Sequence, residues 1–86
     1  MLFVLHLTQT QEEIDMKTAK VEGQTVTIGD WVGFKADIEQ SGQIIDIKST
    51  YMGQALVLEN KSGFHGDYIG GDTITTQEAG DCWLEG

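Results

Sequence analysis

The strongest constraint in this chain is the alternation in Thr25-Val-Thr-Ile-Gly-Asp-Trp-Val-Gly-Phe34, followed closely by Gly42-Gln-Ile-Ile-Asp-Ile-Lys48. Val26 and Ile28 alternate with threonines, which predicts a strand with one buried face. Gly29-Asp30 is turn chemistry, because glycine reaches positive φ and aspartate bonds to nearby backbone. Val32 and Phe34 resume the period, so Trp31 must point the other way. Ile45/Ile47 and Leu56/Leu58 supply two further buried faces. A helical bundle is disfavoured, since the chain carries 11 glycines and each in a helix interior costs about 1 kcal/mol against alanine.

The rest of the chain fits around that stretch. Residues 17–28 read as a hairpin turning at Glu22-Gly23-Gln24, and the polar segment 35–41 as a long loop with room for one helical turn. Strands at 43–48 and 55–59 form a second hairpin, followed by a turn at 60–63. Phe64, Tyr68 and Ile69 are then scattered between Gly66, Gly70 and Gly71, which predicts irregular backbone. Brief strands are expected at 73–76 and 81–84, separated by a turn at 77–80. Residues 1–15 read as an N-terminal extension outside the organised pattern, with a strand or apolar tail at 2–7 and a short helix near Thr10 and Glu13, at capping-box spacing. Met16 is then an alternative working start. Short strands at this spacing in 86 residues predict one all-β domain over 16–86, either a small SH3-like barrel or a five-stranded roll.

Charge narrows the function. Fourteen acids face five basic residues, all lysine (Lys17, Lys20, Lys35, Lys48, Lys61), for a net charge of -9. Binding nucleic acid depends on neutralising phosphates, and arginine, the usual fork for them, is absent. Direct contact with nucleic acid or an anionic membrane is therefore not expected. Beyond Lys61 only Asp67, Asp72, Glu78, Asp81 and Glu85 are charged, so this third carries a negative field. A solvated surface, a basic protein partner, a cation site and mimicry of DNA all fit that field. Cys82 is a lone cysteine and supports no internal disulfide. The apolar run 2–7 lacks a basic flank and cleavage site and is too short to span a bilayer. A cytoplasmic setting is the expectation.

Catalytic and metal motifs are sparse. His65, Asp67, Asp72 and Cys82 are sound zinc ligand types, yet their spacing matches no recognised site. Residues 67–72 lack the alternating ligands of an EF-hand loop. Cys82 with His65 is the single thiol–base pair worth naming, and the glycines at 63–71 precede no phosphate-cradling helix. The expectation is a non-enzymatic protein without metal or cofactor. The aromatic residues say more. Trp31, Tyr51, Phe64, Tyr68 and Trp83 are more rings than a small core needs beyond Phe34. Of these Trp31, Tyr51, Phe64 and Tyr68, with Asp37, Glu39 and Asp67 as an acidic rim, are the candidate partner-binding residues; the alternative is that the rings plug the barrel ends. Edge strands also allow pairing between copies.

The pattern Ile28-Gly-Asp-Trp-Val-Gly-Phe34 followed by Ser41-Gly-Gln-Ile-Ile-Asp-Ile47 resembles the KOW class of SH3-like barrels over about residues 25–60. That resemblance implies contact with RNA or with ribosomal and transcription proteins; the charge of this chain favours the protein half. Residues 16–84 are also similar to small proteins encoded by tailed phages, including those of marine cyanobacteria. The shared features are Gly29-Asp-Trp-Val-Gly-Phe-Lys-Ala-Asp-Ile-Glu-Gln-Ser-Gly42, Leu58-Glu-Asn60, Gly63-Phe64 and Asp81-Cys-Trp83. This likeness implies a viral origin and a host-cell cytoplasm, and brings no activity. The expected function is a protein–protein interaction module, with an acidic decoy for a nucleic-acid-binding host protein as the alternative.

Overall fold

The computed structural model describes residues 17–51 and 53–85. The strand expected at 2–7, the helix near Thr10 and the question of Met16 lie outside these residues. The described chain contains β1 (Thr18–Val21), β2 (Gln24–Thr27), β3 (Trp31–Ala36), β4 (Ile38–Thr50), β5 (Gly53–Glu59), β6 (Ile74–Glu78), a 3-10 turn (Ala79–Asp81) and β7 (Trp83–Leu84). β6-β5-β4-β3-β7 form one antiparallel five-stranded sheet, and β1-β2 form a separate hairpin. The domain is all-β, as the alternation predicts. It is not a closed barrel: β6 and β7 stand at opposite edges of the sheet and do not pair.

Local chemistry explains the turns. The β1–β2 loop places Glu22 at φ 52° and Gly23 at φ 79°, the left-handed pair that matches the twist of a two-residue hairpin. At the β2–β3 corner the Asp30 carboxylate accepts the Thr27 N–H at 2.9 Å, while Asp30 N–H donates to the Thr27 carbonyl at 3.1 Å. Ile28 falls inside this corner instead of on the strand, so it is 46% exposed and Val26 alone of that pair is buried.

Two segments depart from the sequence expectation. Residues 35–41 are not a loop: β3 and β4 stay paired up to Ala36↔Ile38 and reverse on Asp37 alone, at φ 70°. The period was masked because this end of the hairpin has solvent on one face and polar Gln40 on the other, with Lys35 directly opposite Glu39. In β4 the register with β5 shifts between Ile44 and Asp46. Ile45 is the extra residue of a β-bulge, which breaks strict alternation. The buried pair is therefore Ile44 and Ile47, and Ile45 is exposed.

Val32, Phe34, Ile44, Leu56 and Leu58 form the inner face of the sheet. Ala19, Val21 and Val26 of the hairpin cover it, and Ala79 and Cys82 close one end. Phe64, from the irregular segment after β5, packs edge-on against Phe34 with ring centroids 5.4 Å apart. The Cys82 thiol donates to the Glu78 carbonyl at 3.4 Å. Burial, with a smaller contribution from the Asp81 charge, pushes its pKa from 9.0 up to about 11. The folded state thus holds a proton that the unfolded chain releases. The Cys82 contribution to stability should be complete below pH 9.0 and decline as pH rises toward about 11. Thiol reagents at pH 8 should label Cys82 only after denaturant is added; rapid labelling of native protein would contradict the burial.

Candidate binding face

Side chains opposite to the core define an outer face. On β3 these are Trp31, Gly33 and Lys35, since Val32 and Phe34 point inward. Across β4 they meet Gln43, Ser41 and Glu39. Gly33 also pairs with Trp83 of β7. The Trp83 indole lies across Gly33 so closely that a Cβ built there would sit 2.0 Å from Nε1. Glycine in a strand interior is the usual mark of such a close approach. Both tryptophans therefore occupy one face, separated along β3 by the rise of two residues, about 7 Å.

Charges of both signs border them, Glu39, Glu59 and Glu85 with Lys35 and Lys61. Trp31, Gln43 and Glu59 are successive partners across β3, β4 and β5, a span of about 10 Å at ordinary strand spacing. A shallow depression of about 260 Å³ joins Trp31, Gln43 and Glu59 to Asn60, Lys61 and Ser62. Its floor is fixed: Gln43 Nε2 donates to the Gly29 carbonyl at 3.0 Å, and Asn60 Nδ2 to the Ser41 carbonyl at 3.2 Å. Trp31 is 47% exposed. A second depression of about 160 Å³ lies between Glu39, Gln40, Ser41, Trp83 and Glu85, where the Ser41 hydroxyl donates to the Glu85 carboxylate. Chemically this is an aromatic surface whose edge carries three carboxylates, Glu39, Glu59 and Glu85, against two lysines, Lys35 and Lys61. It suits an alkyl or aromatic side chain with a cation at the Trp83 end, where no lysine lines the depression.

The seven candidate residues do not converge. Trp31 and Glu39 lie on the outer face. Phe64 is in the core, only 2% exposed, and so cannot line a surface. Asp37 and Asp67 are brought together, but as a clamp in which Asp67 N–H donates to the Asp37 carboxylate. Gln40 supports the same clamp, accepting the His65 N–H at 2.8 Å and donating to the His65 carbonyl at 2.7 Å. Tyr68 is exposed on that clamped segment, whereas Tyr51 is 98% exposed at the β4–β5 tip. Asp37 and Tyr51 flank the two ends of β4, whose 13 residues span on the order of 40 Å. One groove cannot contain both. The sequence counts Trp83 among its surplus rings without placing it in the candidate set, and Gly33, Glu59 and Glu85 are not among its candidates for this face. The outward parity of Gly33 with Trp31 was the available signal.

Among the described residues, no three His, Cys, Asp or Glu side chains gather to hold a metal ion. Cys82 is buried and His65 exposed. No protein-family model, curated protein or solved structure matches the chain.

Proposed function

We propose that the protein is a non-enzymatic interaction module whose outer sheet face captures a basic segment of a partner protein. Trp31 and Trp83 supply apolar area, and Glu39, Glu59 and Glu85 supply the field that selects cations. The observation that carries this reading is Trp31, nearly half exposed on the same outer face as Trp83 and in a depression shared with Glu59. Two tryptophans side by side on one sheet face are the residue type that anchors interfaces. The motif likeness at residues 28–34 and 41–47 supports an opened relative of the KOW-type SH3-like roll, and the longer likeness supports a phage protein acting in host cytoplasm.

The net charge of -9 favours a second reading, an acidic decoy that occupies the nucleic-acid site of a host protein. Salt separates the two, because exposed charge pairs are screened and apolar contacts are not. Affinity capture from bacterial lysate at low and high salt, with wild type and Trp31→Ala in parallel, tests both. The aromatic reading expects capture that survives high salt and falls at least tenfold in Trp31→Ala. That variant should stay folded, at a cost on the order of 1–2 kcal/mol for the half of the ring that is covered. Capture lost with salt alone and indifferent to Trp31 would favour the decoy.

A further inference from the structure

The two edges of the sheet are not alike. β7 is two residues long, and its Leu84 N–H is already taken by the Glu22 carboxylate at 2.6 Å. β6 is five residues long, pairs with β5 on one side without a register shift, and among the described residues has no strand on the other. Residues 74–78 contain no lysine, proline or glycine and the strand has no bulge, so Glu78 at its end is the one charge that guards this edge. Ile74 is 50% exposed there.

We infer that β6 pairs antiparallel with β6 of a second copy about a two-fold axis through Thr76, joining two five-stranded sheets into one. The residue pattern is self-complementary in that register. Thr76 meets Thr76, Thr75 meets Gln77, and Ile74 meets Glu78, so the one charged residue of the strand faces an aliphatic neighbour and not its own copy. Continued past the strand ends, the same register sets Asp72 beside Gly80 and Asp81 beside Gly71, and again no acid opposes an acid. The two-fold axis stands perpendicular to the sheet, which leaves both outer faces on one side. The two copies of Trp31 are then seven strand spacings apart, about 34 Å.

Five paired residues bury well under the roughly 1,200 Å² of a stable interface, so the association is weak. Each copy carries -9, so added salt should strengthen it; a basic peptide adding to the same edge would instead be weakened by salt. Analytical ultracentrifugation of the full chain over a concentration series, at low and high salt, provides the test. The weight-average mass should rise from 9.5 kDa toward twice that value, more readily at high salt. Thr76 is exposed, and Thr76→Lys and Thr76→Glu should each remain folded and monomeric, because like charges would meet across the axis. An equimolar mixture of the two should restore association. A mass fixed at 9.5 kDa in all conditions overturns the inference, as does wild-type-like association of either variant alone. A mixture that associates no better than its components overturns it equally.

Discussion

Phe64→Ala should leave the protein only marginally folded at room temperature. Phe64 is 2% exposed, and it fills the space over Gly42, where a Cβ would already lie 3.3 Å from the Phe64 ring. Truncating a buried phenylalanine costs about 3–5 kcal/mol through lost transfer energy and the cavity left behind. A domain of this size has a total stability on the order of 5 kcal/mol. Its backbone anchors make collapse around the void difficult. Phe64 N–H donates to the Asp72 carbonyl at 2.7 Å, and the Phe64 carbonyl accepts from Gly71 N–H at 2.9 Å. Tyr68→Ala, on the same segment but 83% exposed, is the control and should change stability by no more than about 0.5 kcal/mol. Urea denaturation followed by circular dichroism checks both. Equal midpoints for the two variants would show that Phe64 is not a core residue.

Gly33→Ala should be destabilising by about 1–3 kcal/mol, the range for forcing extra volume into a packed site. The cause is steric, because the new methyl would lie 2.0 Å from Trp83 Nε1 and 2.4 Å from Cε2. Trp83 must move, and β7 is held by few contacts: the pairs Val32↔Leu84 and Gly33↔Trp83 and the Leu84 N–H and Glu85 carboxylate bonds to Glu22 and Ser41. Tryptophan emission should shift red as the indole enters water. The sign reverses once Trp83 is removed. In a Trp83→Ala background, Gly33→Ala should be neutral or slightly stabilising, since glycine within a strand costs roughly 0.5–1 kcal/mol against alanine. A double-mutant cycle from thermal or urea melts measures that coupling. Additive effects would mean that Trp83 does not rest on Gly33 in solution.

The parts of the fold visible in the sequence are those where burial and period coincide. Val32 and Phe34, and Leu56 and Leu58, alternate without interruption and are all buried. The Glu22-Gly23 turn was legible because few residues other than glycine occupy the left-handed region without cost. What stayed hidden depends on partners distant in the chain. Nothing near Asp37 announces that its carboxylate will hold Asp67, 30 residues later. The Ile44-Ile45 pair is ambiguous, because either isoleucine could be the buried one until the β5 register is known. The outer face was half legible: Trp31 followed from parity alone, while the seat of Trp83 required knowing that β7 returns to β3. The edges were beyond sequence reasoning altogether, since closure of a barrel depends on strand number and tilt more than on any one residue.

The bulge at Ile45 carries an implication for how this chain tolerates changes in length. Upstream of it, β4 presents Gly42 and Ile44 to the interior; downstream it presents Ile47. Deleting Ile45 would give β4 an unbroken ladder with β5 and leave Asp46↔Val57 and Ile47↔Leu56 as they are. Deleting a paired residue such as Asp46 or Lys48 would instead slip the pairing on one side of it and turn side chains to the wrong face. At the far end of the same hairpin, Tyr51 is nearly free of contacts, and added residues there would only enlarge the loop at a small entropic cost. Length changes in this hairpin should therefore be tolerated at the Tyr51 tip and, as loss of the single extra residue, at Ile45, but not at the paired positions between them.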